Sequence, residues 1–76
     1  MSPRLPRITA TQLVRALHRA GWDDHHQTGS HLFLRHPSRP GTVVVPVHAR
    51  KIIKPKVLQS ILDQAGLGAD ELKDRL

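Results

Sequence analysis

Apolar residues recur in the first third of the chain at helical spacing, and the period then changes. Leu13, Ala16, Leu17 and Ala20 fall on one side of a helix that opens at Thr9 and stops at Gly21. Thr9 and Gln12 fit a Thr-x-x-Gln capping box, and Ile8 and Leu13 occupy the two positions of a hydrophobic staple. The opposite side of this helix carries Arg15, His18 and Arg19. Gly21 suits the left-handed turn that closes helices.

Beyond Gly21 the pattern shortens to that of strands. Trp22 to Gln27 is short and polar and predicts an edge strand that ends at Thr28-Gly29. Ser30 to His36 has apolar residues of both parities, Leu32 and Leu34 against Phe33, as a central strand would. Pro37-Ser38-Arg39-Pro40-Gly41 predicts a turn. Thr42 to Val47 predicts a third strand, placed at an edge or ending near Pro46, which has no amide to donate.

His48 to Lys54 is a basic connection, and Pro55 suits the first turn of a second helix. Val57, Leu58, Ile61, Leu62 and Ala65 form its apolar stripe, and Gly66 ends it. Gly68-Ala69-Asp70-Glu71 leaves room for a short C-terminal helix with acids near its start. The expected fold is α+β, in the order α-β-β-β-α. It has a three-stranded antiparallel sheet whose two helices cover one face and leave the other open. Residues 1–8 read as a loose, basic N-terminal arm, and residues 9–76 as a single domain.

Composition narrows the chemistry. Aromatic residues make up 3% of the chain, Trp22 and Phe33, so the core must be aliphatic. A chain of 76 residues buries only about 60–65% of the surface its unfolded form exposes, which leaves little surplus stability. The absence of cysteine excludes disulfide staples, thiol nucleophiles and Cys-based zinc sites. Met1 to Arg7 lacks the apolar segment of a secretion signal, and no apolar run is long enough to cross a bilayer. The expectation is a cytoplasmic protein.

Charge adds a partner. Twelve Lys and Arg against six Asp and Glu give a net charge of +6. Between Trp22 and Lys56 only Asp23 and Asp24 are negative, and the remaining acids lie from Asp63 onward. The middle of the chain is therefore a basic face, suited to a polyanion. Arg50, Lys51, Lys54 and Lys56 form the densest cluster, fit to hold phosphates in a salt-sensitive way. With only Trp22 and Phe33, aromatic stacking platforms for single-stranded bases are nearly absent, which favours contact with RNA backbone or shape over a sequence reader.

The segment Thr28-Gly29-Ser30-His31 sets a histidine at the mouth of a strand on this basic scaffold. Imidazole, with an ordinary pKa near 6.5, can take the proton of an RNA 2′-hydroxyl or protonate a leaving oxygen without help from a metal. Gly29 lets backbone approach closely, and Ser30 can hold a phosphate oxygen. A plainer reading makes Thr28-Gly29-Ser30 a hairpin turn and His31 an ordinary strand residue, and spacing alone leaves both standing. A metal site built from His25, His26, His31, His36 and His48 is disfavoured. No helical His-x-x-x-His or well-spaced carboxylate accompanies them, and adjacent strand residues such as His25 and His26 point to opposite faces.

Several motifs taken together resemble a known family. Ala20-Gly21-Trp22 after a helix, Gly29-Ser30-His31, His36-Pro37, Val45-Pro46-Val47-His48 and the closing helix Leu58 to Leu67 follow in this order. That pattern resembles the HicA toxins, the ribonuclease halves of bacterial HicAB toxin–antitoxin pairs, over about Thr9 to Leu72. The resemblance implies a fold like that of double-stranded-RNA-binding domains and a catalytic histidine at His31, within the Gly29-Ser30-His31 motif. It further implies endoribonuclease action on mRNA and silencing by a HicB antitoxin that binds directly. A basic residue often precedes Gly-Ser-His in that family, and Thr28 stands there in this chain. Any phosphate-holding duty then passes to Arg35 or to the Arg50–Lys56 cluster. The second acid or base is left open among Ser30, His48 and Lys51. Two other functions stay open: a non-catalytic RNA-binding module of the same shape, and a DNA-binding repressor, for which no convincing helix-turn-helix is present.

Overall fold

A computed structural model describes residues 5–48 and 50–76. The elements are α1 (Ala10–Arg19), β1 (Asp23–Thr28), β2 (His31–His36), β3 (Arg39–Pro46), α2 (Pro55–Ala65) and α3 (Ala69–Asp74). The strands form one antiparallel sheet in the order β1-β2-β3, so β2 is central and Pro46 lies on an edge strand, where its missing amide breaks no ladder.

α1 starts as its sequence dictates. The Gln12 amide donates to Thr9 Oγ1 at 3.3 Å and the Thr9 amide donates to Gln12 Oε1 at 2.9 Å, closing the capping box. It ends in a paired closure: the Gly21 amide donates to the His18 carbonyl and the Trp22 amide to the Leu17 carbonyl, with Gly21 at φ +98°. Trp22, which the sequence pattern assigned to the first strand, is buried at this helix end; β1 begins one residue later. α2 begins with Pro55 and ends at Gly66, where the Leu67 amide reaches back to the Leu62 carbonyl. In α3, Leu72 is buried and the Gly68 amide meets Glu71 Oε1.

The alternation of the strands decides which face is covered. Leu32 and Leu34 of β2 and Val43 and Val45 of β3 are buried with Leu13, Ala16 and Leu17 of α1 and Leu58, Ile61, Leu62 and Ala65 of α2. Both helices lie against β3. Burying each of the Leu, Ile and Val side chains stabilises by roughly 1.5–3 kcal/mol. The other parity of β2, His31, Phe33 and Arg35, lies on the uncovered face.

Residues 1–4 of the N-terminal arm lie outside the described residues. Ile8 is buried, its carbonyl accepts from the Ile53 amide at 2.9 Å, and Thr9 bridges Ile52. The segment before α1 is thus tied to the segment before α2.

Two expectations about the strands need correction. The five-residue turn expected at Pro37–Gly41 shrinks to Pro37-Ser38, because β3 starts at Arg39. The register slips between Arg35, opposite Thr42, and His36, opposite Arg39. That irregularity absorbs Pro40 and Gly41, neither of which suits a regular ladder. A second irregularity lies between Asp24 and His26 in β1. There the rings of His25 and His26 meet edge to face at 5.1 Å instead of pointing to opposite faces.

Candidate nucleic-acid interface and proton-transfer site

His31 opens β2 directly after the two-residue turn Gly29-Ser30, with Thr28 facing it on β1 and Pro46 facing it on β3. Gly29 adopts φ +54°, a left-handed conformation that side-chain-bearing residues rarely take, and the Gln27 amide nitrogen Nε2 donates to its carbonyl at 3.1 Å. The Ser30 carbonyl accepts from the Val47 amide at 2.6 Å, which extends the β2–β3 pairing past Pro46. The Gly29-Ser30-His31 segment is therefore held between a tight turn and the end of β3. The His31 side chain is exposed.

Pro46 links His31 to the basic loop. With His48, Lys51, Ile52, Ile53, Lys54 and Val57 it lines an open groove of about 370 Å³. The groove has an apolar floor, with Ile52 45% and Val57 37% exposed, between a histidine and two lysines. The loop turns tightly where the Lys51 amide donates to the His48 carbonyl at 3.2 Å, and Arg50 takes φ +66°. Lys54 occupies the N-cap of α2 and makes no side-chain capping bond, and the first turn carries no acid. Its free amides, Lys54 and Lys56 all contribute positive potential. Among the described residues, no Lys or Arg of this loop is paired with an Asp or Glu.

The structure thus brings together part of the set named from sequence. Gly29, Ser30, His31, His48, Lys51 and Lys54 gather at one end of the sheet. Arg50 and Lys56 flank the groove in the chain without lining it. Arg35 is on the same face as His31 but four residues along β2, roughly 13 Å away at ~3.3 Å per residue. It lies beside Asp23, Asp24, His25, His36 and Pro37. Sequence reasoning missed Pro46, Ile52 and Val57. Pro46 is half-buried at the end of β3, Ile52 is exposed in the loop, and Val57, which periodicity placed in the apolar stripe of α2, is instead 37% exposed in the first turn of that helix.

The remaining histidines divide by role. His36 points to the core edge, and His18 Nε2 meets Asp24 Oδ1 at 2.7 Å on the surface. Among the described residues, no three His, Asp or Glu side chains gather in a metal-binding group.

Residues 10–67 match the family described as the HicA toxin of bacterial toxin–antitoxin systems. The chain belongs to the HicA toxin family. The match runs from the first helical residue through the turn after α2, and so includes the Gly29-Ser30-His31 segment and the basic loop. No curated protein matches the chain. Family membership makes it the toxin member of a toxin–antitoxin system, with an antitoxin as partner. Among the described residues no helix is long and apolar enough to cross a membrane.

Proposed function

We propose that this HicA-family toxin is a metal-independent endoribonuclease that cuts mRNA and so blocks translation, with His31 as general acid or base. The observation that carries the proposal is the placement of His31. It is an exposed imidazole, fixed by a two-residue turn, facing Pro46 at the rim of a groove lined with lysine. The bond chemistry needs no added cofactor. The 2′-hydroxyl loses its proton to a base, its oxygen forms a bond to the adjacent phosphorus, and the bond from phosphorus to the 5′ oxygen breaks. That leaving oxygen takes a proton from an acid. The products are a 2′,3′-cyclic phosphate and a 5′-hydroxyl, and His31 carries one of the two protons. Ser30, His48 and Lys51, at the same end of the sheet, are the candidates to carry the other.

Arg50, Lys51, Lys54, Lys56 and Arg35 hold phosphates in this reading. A HicB-like antitoxin silences the toxin by covering the His31 face. An acidic surface on that partner would match the net charge of +6 while blocking the imidazole.

The test is incubation of a long unstructured RNA in EDTA with the parent protein and with His31→Ala. Cleavage by the parent alone supports the proposal. Cleavage by both proteins removes His31 from its role. A gel shift by both without shortening of the RNA makes the chain an RNA-binding module. Product ends that carry a 3′-hydroxyl would overturn the cyclic-phosphate route and leave the ribonuclease reading in place.

A further inference from the structure

Three rings gather on β1 and β2. His26 and Phe33 face each other across β1 and β2, with ring centroids 4.3 Å apart and planes 8° from parallel. His25, displaced at the strand irregularity, stands edge-on to His26. Trp22, the chain's other large aromatic residue, is buried. His25 and His26 are exposed and Phe33 is half-buried, so this group lies on the uncovered face and takes no part in the aliphatic core. Counting only Phe and Trp along the sequence hides it, because two of its three rings are imidazoles.

Side chains of one parity along β2 repeat every ~6.6 Å. On the open face that row reads His31, Phe33, Arg35. Asp23 faces Arg35 across β1, yet the two form no ion pair among the described residues, and the guanidinium remains available.

The geometry points to a two-nucleotide subsite on this face, with the scissile phosphate at His31, a neighbouring base stacked on the outer face of the His26–Phe33 pair, and the second phosphate along the strand at Arg35, roughly 13 Å from His31 at ~3.3 Å per residue. The subsite rests on the ribonuclease reading and adds the class of substrate to it. A base can reach a ring on a sheet only when it is unpaired, so the substrate is single-stranded RNA. Stacking accepts any base face, so the subsite selects unpaired nucleotides more than a particular sequence.

The test uses His31→Ala protein, which would bind RNA without cutting it, and a single-stranded oligoribonucleotide carrying 2-aminopurine. Binding should quench the fluorescence of the probe. Adding Phe33→Leu and His26→Ala should remove the quenching and weaken binding about 10-fold, while the circular dichroism spectrum stays unchanged. The same probe in a duplex should show no protein-dependent quenching. His26→Ala alone, at an exposed position, serves if Phe33→Leu perturbs folding. Saturating binding with unchanged fluorescence, or quenching that survives His26→Ala with Phe33→Leu, would overturn the stacking subsite alone. Failure of His31→Ala protein to bind RNA at all, alongside a parent protein that neither binds nor cuts it, would overturn the ribonuclease reading together with the subsite.

Discussion

His36 Nε2 lies 3.2 Å from the carbonyl oxygen of Ala20, joining the end of β2 to the end of α1. The other ring nitrogen, Nδ1, accepts from the Ser38 amide at 3.0 Å, which leaves Nε2 as the donor. The ring also stands edge-on to Trp22 at 5.3 Å. His36 is thus a structural histidine, in contrast to the exposed His31. His36→Ala should cost about 1–3 kcal/mol, because it removes two hydrogen bonds and a packed ring. RNA cleavage by the protein that remains folded should change little. His31→Ala should do the reverse, leaving stability within about 0.5 kcal/mol while cleavage falls at least ~100-fold. Denaturation and cleavage measured on both variants test this division.

Gly21 shares that contact. It adopts φ +98°, and a Cβ there would lie 2.6 Å from His36 Nε2. Gly21→Ala should therefore destabilise by about 1–3 kcal/mol, from backbone strain and displacement of the imidazole together. In the double variant with His36→Ala the steric part disappears and the strain stays. The two losses should then sum to more than the double variant shows, and a thermodynamic cycle by urea denaturation measures the difference.

The helices and the central strand were legible because their signals are local. Thr9, Gln12, Gly21, Pro55 and Gly66 fix ends through their own backbone chemistry, and the aliphatic stripes fix faces. The two register irregularities were not legible. Each follows from how a strand pairs with its neighbour, and nothing in Asp24-His25-His26 or Arg39-Pro40-Gly41 alone specifies a partner residue. The site divided along the same line. Gly29-Ser30-His31 could be named from a motif, and the basic loop from its charge. That Pro46 joins them, that Arg35 stands apart, and that His26 meets Phe33 all depend on cross-strand register. His36 and His31 look alike as histidines flanking a strand. Only parity and the Ala20 carbonyl separate a core-edge residue from an exposed one.

The basic loop predicts a salt signature. Lys51 and Lys54 line the groove, Lys56 follows on α2, and none is paired with a carboxylate among the described residues. Replacing all three with Gln should weaken binding to unrelated RNA sequences to a similar extent. The slope of log K against log salt should become shallower by about 0.7 for each lysine that meets a phosphate of a single strand. Binding titrations at several salt concentrations read this directly. An unchanged slope would place the phosphate contacts elsewhere, with Arg35 the next candidate.

Arg50 carries the loop's other testable tension. Its φ of +66° is a left-handed conformation that costs a side-chain-bearing residue on the order of 1 kcal/mol, and glycine would adopt it without that cost. An arginine at such a position combines local strain with a charge beside the groove. Arg50→Gly should therefore raise stability by up to about 1 kcal/mol, less whatever glycine loses through a freer unfolded chain. The same change should lower RNA affinity, since one cation is gone. Arg50→Lys should keep affinity near the parent and gain no stability, because it retains both the charge and the strained conformation. Chemical denaturation and RNA titration on the two variants separate the contributions. If Arg50→Gly proves both less stable and no weaker in binding, strain and charge are both wrongly assigned to this residue.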